Sequence, residues 1–185
     1  MPKADFFPEF NENEKFVIQV SSYHPPKDQQ TLIRAISLLP ENIKLLLAGD
    51  GVTRKDCELL VASLELEKRV FFLGLRMDIP NLLKNVDIVV LSSRYEGLSL
   101  SSIEGMASGK PFIASDVPGL SEIVGGAGLL FQVGNEKELA ENIAKLLSDK
   151  EYYSSIVESC QKRAEEFDIQ SMVNKHINLY NSILN

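Results

Sequence analysis

VDIVVLSSRYEGLSLSSIEGMASGKP, residues 86–111, decides how the rest of the chain is arranged. Val86-Asp87-Ile88-Val89-Val90-Leu91 is an apolar, β-branched run of the kind that forms a buried strand. The segment after it opens a helix that stops at Ser108-Gly109-Lys110-Pro111, where Gly and Pro end the pattern. Two carboxylates, Glu96 and Glu104, flank this strand-to-helix junction with seven residues between them. In an α/β protein that junction is a ligand site, because the loop lies outside the carboxyl end of a strand and a helix N-terminus faces it.

Outward from this stretch, the same alternation repeats. Phe16 to Val20, Lys44 to Ala48, Val70 to Leu73, Pro111 to Ser115 and Leu129 to Phe131 read as strands. Between them Leu32, Ile33, Ala35, Ile36 and Leu39 form a helical stripe, Arg54 to Leu66 a second with Leu59, Leu60 and Ala62 inward, and Ile79 to Lys84 a short third. Asp116-Val117-Pro118-Gly119-Leu120 reads as a turn. Three helices, Lys137–Leu147, Glu151–Phe167 and Gln170–Leu184, finish the chain. Short strands alternating with helices predict an α/β, Rossmann-like parallel sheet of about six strands with helices on both faces. Residues 1–15, with Pro2 and Pro8, read as a linker or N-terminal arm, and residues 16–185 as one domain.

The composition narrows the function. A net charge of −7 excludes a general nucleic-acid binder, which needs a basic face. Cys57 and Cys160 lack metal spacing and read as reduced thiols of a cytoplasmic protein. No apolar run approaches the ~18 residues of a membrane span. The first βα loop, SSYHPPK, has no G-x-G-x-x-G, and Gly49-Asp50-Gly51 is not followed by Gly-Lys-Ser/Thr, so neither a dinucleotide enzyme nor a P-loop is expected. G-x-S-x-G is absent, and His24 and His176 are the only histidines, so neither a serine hydrolase nor a histidine-rich metal site is expected. Glu96 and Glu104 remain. On spacing alone they admit two readings: Ser101 and Glu104 fit a helix capping box with Glu96 at a helix entrance, or the pair serves a ligand.

Context supplies more. The run from Val86 to Gly119 resembles the donor-binding, C-terminal domain of the two-domain retaining glycosyltransferases of the GT-B architecture (glycosyl transferases group 1, family 4). Their E-x(7)-E motif matches Glu96 and Glu104, with Gly97-Leu98 after the first Glu. Leu46-Leu47-Ala48-Gly49-Asp50-Gly51, Val70 to Gly74, Gly126 to Leu130 and Phe167-Asp168-Ile169 match further family signatures, and Val20 to Ala35 matches in part.

The resemblance implies a nucleoside-diphosphate sugar, UDP- or GDP-linked, bound as substrate with no further cofactor and no metal. It implies Glu104 on the ribose hydroxyls and Glu96 beside the donor sugar. The amides of Gly97, Leu98, Ser99 and Leu100 would face the diphosphate, and Lys27 would hold the phosphates and stabilise the leaving nucleotide. Gly49 would line the nucleotide site. Ser22 stands where the family has an arginine, a loss of charge that Arg54, Arg76 or Arg94 would have to replace; Asp50 and Met77 are further candidates near the base.

The implied activity is sugar transfer with retention to a saccharide or lipid-linked acceptor in polysaccharide or cell-envelope glycan synthesis. The family's acceptor-binding N-terminal half is not in this sequence, so the isolated chain is expected to turn over almost nothing. Its last helix is expected to show an apolar stripe toward that half, and peripheral membrane association is expected only through the full enzyme. The alternatives are a non-catalytic nucleotide-sugar-binding module or split-enzyme subunit, and, more distantly, half of a nucleotide-sugar 2-epimerase.

Overall fold

Phe16, Val17 and Ile18 are buried side by side, as in a strand covered on both faces. In the computed structural model, which describes residues 13–184, they lie in β1 (Lys15–Val20), central in a six-stranded sheet. The other strands are β2 (Ile43–Ala48), β3 (Val70–Gly74), β4 (Ile88–Leu91), β5 (Phe112–Ser115) and β6 (Leu129–Phe131). The helices between and after them are α1 (Gln29–Ser37), α2 (Arg54–Ser63), α3 (Ile79–Asn85), α4 (Leu100–Ala107), α5 (Pro118–Val124), α6 (Glu136–Ser148), α7 (Lys150–Glu165) and α8 (Ile169–Leu184). The linker expected over residues 1–15 lies outside the described residues up to position 12; Lys15 already pairs with Ile43 in the sheet.

All strand pairs are parallel, in the order β3-β2-β1-β4-β5-β6. The α/β Rossmann-like fold read from the sequence is the observed one. Alternation of side chains along each strand divides the core into two layers. Val17, Leu45, Leu47, Ile88, Val90 and Ile113 face α1, α2 and α6, while Phe16, Ile18, Leu46, Val89, Leu91 and Phe112 face α3, α4, α5 and α7. Leu32, Ile33 and Ile36 of α1 are fully buried, each contributing about 1.5–3 kcal/mol of transfer free energy.

Two sequence expectations change. The face that α2 buries carries Cys57 and Val61, with Leu60 and Leu64 partly covered, whereas Leu59 is 61% exposed and Ala62 is also outward. The i, i+3, i+4, i+7 stripe starts at the cysteine, which behaves as a small hydrophobe. Residues 116–120 are not merely a turn: Pro118 opens α5, because its fixed φ and missing N–H suit the first helical position.

The two cysteines are free and buried. Burial foremost, with nearby carboxylates adding at Cys57, pushes both thiols up to about 11. The fold therefore favours the neutral thiol. That stability is complete below the unfolded thiol's value of about 8.5 and is lost as pH rises from there toward 11. Urea midpoints are expected to fall between pH 8 and 10.5 by more than in a Cys57→Ala/Cys160→Ala control. Iodoacetamide is expected to label neither thiol until the chain unfolds.

Candidate functional site

The sheet order places the topological switch between β1 and β4, so the loops leaving their carboxyl ends diverge around a crevice. Gln19, 1% exposed in β1, stitches these loops together. Its side-chain oxygen accepts from the Ser92 amide at 3.0 Å, and its amide donates to the Ser21 hydroxyl at 3.0 Å and the Ser92 carbonyl at 3.3 Å. Gln29 donates to Ser21 Oγ at 3.1 Å and to the Ser22 carbonyl at 2.9 Å. Lys27 and Ser93 form an isolated antiparallel bridge, flanked by Asp28 N to Ser92 O at 3.0 Å and Arg94 N to Pro26 O at 2.7 Å.

This stitching sets two side chains head to head. Lys27 Nζ donates to Glu96 Oε1, and the same oxygen accepts from Ser93 Oγ at 2.6 Å. The lysine and glutamate side chains are only 17% and 11% exposed. Ser93 is held in turn, its amide donating to Ser115 Oγ of β5 at 2.9 Å. On the other side Gly119, in the first turn of α5, lies so close that a Cβ there would stand 2.2 Å from the Glu96 carbonyl and 2.4 Å from that of Gly97.

Beside the ion pair lies a pocket of about 330 Å³ lined by Ser22, Lys27, Gly49 and Arg76, with Val20, Ser21, Ala48, Leu75, Ile79 and Ser101. Four of the residues singled out from the sequence thus meet in one cavity. Gly49 is there because its φ of +134° and its contact with Ser21 leave no room for a side chain. Arg76 is forked to Asp78 at 2.8 and 2.7 Å, which holds the guanidinium above its usual value and the carboxyl below the usual carboxylate range. Arg54 pairs with Glu58 at 2.7 Å and Asp50 at 3.7 Å, and Arg94 lies 3.6 Å from Asp28. Of the three arginines considered, Arg76 is the one that lines this pocket. Met77 is 99% exposed and does not line it.

The helix after β4 abuts the same pocket through Ser101. Its cap is Ser99, whose hydroxyl accepts from Ser102 N at 3.3 Å. The Ser101–Glu104 capping box does not form, because the helix begins at Leu100 and Ser101 is already inside it. The amides of Gly97, Leu98, Ser99 and Leu100 donate to no backbone group among the described residues, and Gly97, Leu98 and Leu100 are exposed. Exposed residues with backbone donors left unpaired in this way at a helix N-terminus, here Gly97, Leu98 and Leu100, suit an anion.

Glu104 is not brought onto Glu96 and Lys27. It is exposed and lines a neighbouring apolar pocket of about 270 Å³ with Ile79, Pro80, Leu83, Lys84, Ala107 and Ser108. The two pockets share Ile79, and Glu104 lies about one helical turn from Ser101. The arrangement offers a cation and free amides to a phosphate-like group, and a free carboxylate one cavity away to hydroxyl donors.

Gln19, Ser93, Ser115 and Gly119 were not singled out from the sequence. Gln19 carried a signal, a lone amide within the apolar run Phe16-Val17-Ile18-Gln19-Val20, since a buried polar group needs a partner. Among the described residues no cluster of His, Cys, Asp or Glu is placed to hold a metal, and no helix is long and apolar enough to cross a membrane.

Known proteins share this fold. A crystal structure of Anabaena Alr3699/HepE in complex with UDP superposes with a TM-score of 0.91 at 29% identity, over 97% of this chain and 52% of that one. N-acetyl-alpha-D-glucosaminyl L-malate synthase of Bacillus anthracis is 31% identical over 94% of this chain and 47% of its own length. The N,N'-diacetylbacillosaminyl-diphospho-undecaprenol alpha-1,3-N-acetylgalactosaminyltransferase of Campylobacter jejuni is 28% identical over 97% of this chain and 51% of its own length. The chain thus spans about half the length of the curated relatives it matches. With the signature described as Glycosyl transferases group 1 running from residue 1 to residue 163, the chain belongs to that glycosyltransferase family.

Proposed function

We propose that this chain is the donor-binding half of a retaining glycosyltransferase, moving a sugar from a nucleoside-diphosphate sugar to a saccharide or lipid-linked acceptor in cell-envelope or polysaccharide synthesis. The observation that carries this is the meeting of Lys27, Ser22, Gly49 and Arg76 in one pocket beside a helix N-terminus, at the switch point of the sheet. Support also comes from the relatives: the Anabaena structure holds UDP, and the Campylobacter enzyme is named for a diphospho-undecaprenol acceptor.

In this assignment the diphosphate lies against Lys27 and the amides of Gly97, Leu98, Ser99 and Leu100, where charge-assisted bonds are strongest. Ser22, Gly49 and Arg76 line the nucleotide path. Glu104 grips the ribose diol with its two oxygens, and Glu96 stands by the donor sugar. Lys27 neutralises charge on the departing nucleoside diphosphate. The nucleotide sugar is a substrate, and no further cofactor or metal is assigned. Residues 16–185 form the donor domain.

The exposed apolar stripe of α8, including Met172, Val173, Ile177, Tyr180 and Ile183, is assigned to contact with an N-terminal acceptor half, in the same polypeptide or a separate subunit. Alone, the chain binds donor and turns over almost nothing. The full enzyme works in the cytoplasm, reaching lipid-linked acceptors at the inner membrane face.

Calorimetry with UDP, GDP and their sugar derivatives tests this: no heat from any of them at millimolar ligand, with a folded chain, overturns it. Glu104→Ala is expected to weaken nucleotide binding at least about tenfold, through loss of its charge-assisted contacts to the diol. Its circular dichroism melt is expected to match the unmodified chain, because the side chain is exposed.

A second reading has its own observation. Both cations lining the pocket are paired with carboxylates, Lys27 with Glu96 and Arg76 with Asp78, and Ser22 adds none. A non-catalytic nucleotide-sugar-binding module would look like this; absence of turnover when the chain is joined to an acceptor half would select it.

A further inference from the structure

Resting on the donor-site reading above, we propose that Glu96 is an internal competitor for the Lys27 ammonium, and that it makes the site select sugar-bearing nucleotides over the bare nucleoside diphosphate. Lys27 lines the pocket, yet its charge is already taken by Glu96. Little water reaches either group to screen the carboxylate, so an arriving phosphate competes with Glu96 for the lysine's charge.

What happens to the displaced carboxylate decides the selectivity. Ser93 continues to donate one hydrogen bond to that oxygen, but the carboxylate has lost its cation and needs another donor, since an under-satisfied ionised acceptor at this depth is costly. A bare nucleoside diphosphate ends in phosphate oxygens, which only accept at neutral pH and repel Glu96. A sugar on the second phosphate brings hydroxyl donors, which can satisfy it. The donor therefore trades one ion pair for two sets of contacts, while the product nucleotide opens the pair and leaves Glu96 uncompensated. Departure of the nucleotide after transfer is favoured by re-closure of the Lys27–Glu96 pair.

The geometry around the pair suits an exchange of this kind. The Lys27–Ser93 backbone bridge and the Gln19 amide hold both loops while the side chains move. Gly119 against the Glu96 and Gly97 carbonyls keeps the glutamate's backbone in place.

The test is calorimetry on the full chain with UDP and UDP-glucose, and with GDP and GDP-mannose, comparing the unmodified protein with Glu96→Gln. The expected result is UDP or GDP binding tighter by about tenfold in Glu96→Gln, as a charge-assisted competitor is removed, with no gain for the sugar nucleotide. The ratio of the two dissociation constants then shrinks. Unchanged or weaker nucleoside diphosphate binding in Glu96→Gln, or an equal gain for both ligands, overturns the inference while leaving the donor site standing. No binding of any of the four ligands by the folded, unmodified chain overturns the donor-site reading and this inference together. Glu96→Ala carries the same expectation for the bare diphosphates and replaces the glutamine variant if that one does not fold.

Discussion

Gly49→Ala is expected to lower the thermal midpoint by about 10 °C. A Cβ at this position would stand 2.0 Å from the Ser21 carbonyl oxygen and 2.9 Å from its carbon, and the residue's φ is +134°. The obstacle is backbone, so no side chain can swing away. Relief requires the loop after β1 to separate from the loop after β2, although Ser21 is fixed by Gln19 and Gln29 and Gly49 N donates to the Gly74 carbonyl at 2.8 Å. Strain of this kind costs on the order of 1–3 kcal/mol. Displacing a hydrogen-bonded loop adds about 1 kcal/mol more, and each kcal/mol lowers the midpoint by about 2–4 °C in a chain of this size.

Gly126→Ala is the control. Its φ of +78° is also left-handed, but nothing lies within 4 Å of the added methyl, so only conformational strain of about 1 kcal/mol is expected. Melts followed by circular dichroism compare the two. Gly49→Ala should also weaken UDP binding at temperatures where it remains folded, because Gly49 and Ser21 both line the pocket.

How much of this was legible in the residues depended on how local each cause was. β1, β2 and β4 announced themselves because strands covered on both faces read as continuous apolar runs. The stripe on α1 did so because Leu32, Ile33, Ala35 and Ile36 repeat at helical spacing, with Leu39 just past the helix end. The inward face of α2 was misplaced because it begins at Cys57, a residue as suggestive of chemistry as of packing. α5 was hidden by Pro118-Gly119, the same dipeptide whether a turn or a helix start is intended; only the carbonyls of Glu96 and Gly97, more than twenty residues earlier in the chain, explain why glycine is needed there.

The site divided along the same line. Glu96, Glu104 and Lys27 stood out by residue type and resemblance. That Glu96 would be held by Lys27 and Ser93, while Glu104 would lie free one cavity away, depends on which strands neighbour each other, and the order β1-β4 is not written in any local pattern. The apparent capping box shows the limit of spacing. Ser99 and Ser101 are two residues apart and both able to cap; the backbone of Ser99, extended at φ −91° and ψ 107°, makes it the cap and leaves Glu104 without that duty.

Lys27→Ala is expected to weaken nucleoside diphosphate binding by roughly 500-fold, beyond what deletion of one contact explains. Loss of a charge-assisted bond to phosphate accounts for about 1.5–3 kcal/mol, roughly 10- to 150-fold. The variant also strips Glu96 of its cation. A carboxylate that is 11% exposed and retains only the Ser93 hydroxyl then faces the incoming diphosphate as a like charge, a penalty that the Lys27 ammonium partly offsets in the unmodified chain. The two effects separate in a double-mutant cycle, because the residues are in direct contact and their changes are not additive. Lys27→Ala/Glu96→Gln should bind UDP about a hundredfold better than Lys27→Ala, a larger gain than the tenfold or so that Glu96→Gln gives with Lys27 present, because without the lysine nothing offsets the negative charge. Full additivity, with the double variant showing the product of the single effects, would mean that the two side chains act on the nucleotide independently. The closed ion pair would then be incidental to binding. Strong coupling, by contrast, means that the nucleotide meets Lys27 and Glu96 as one unit, whose opening is part of recognition.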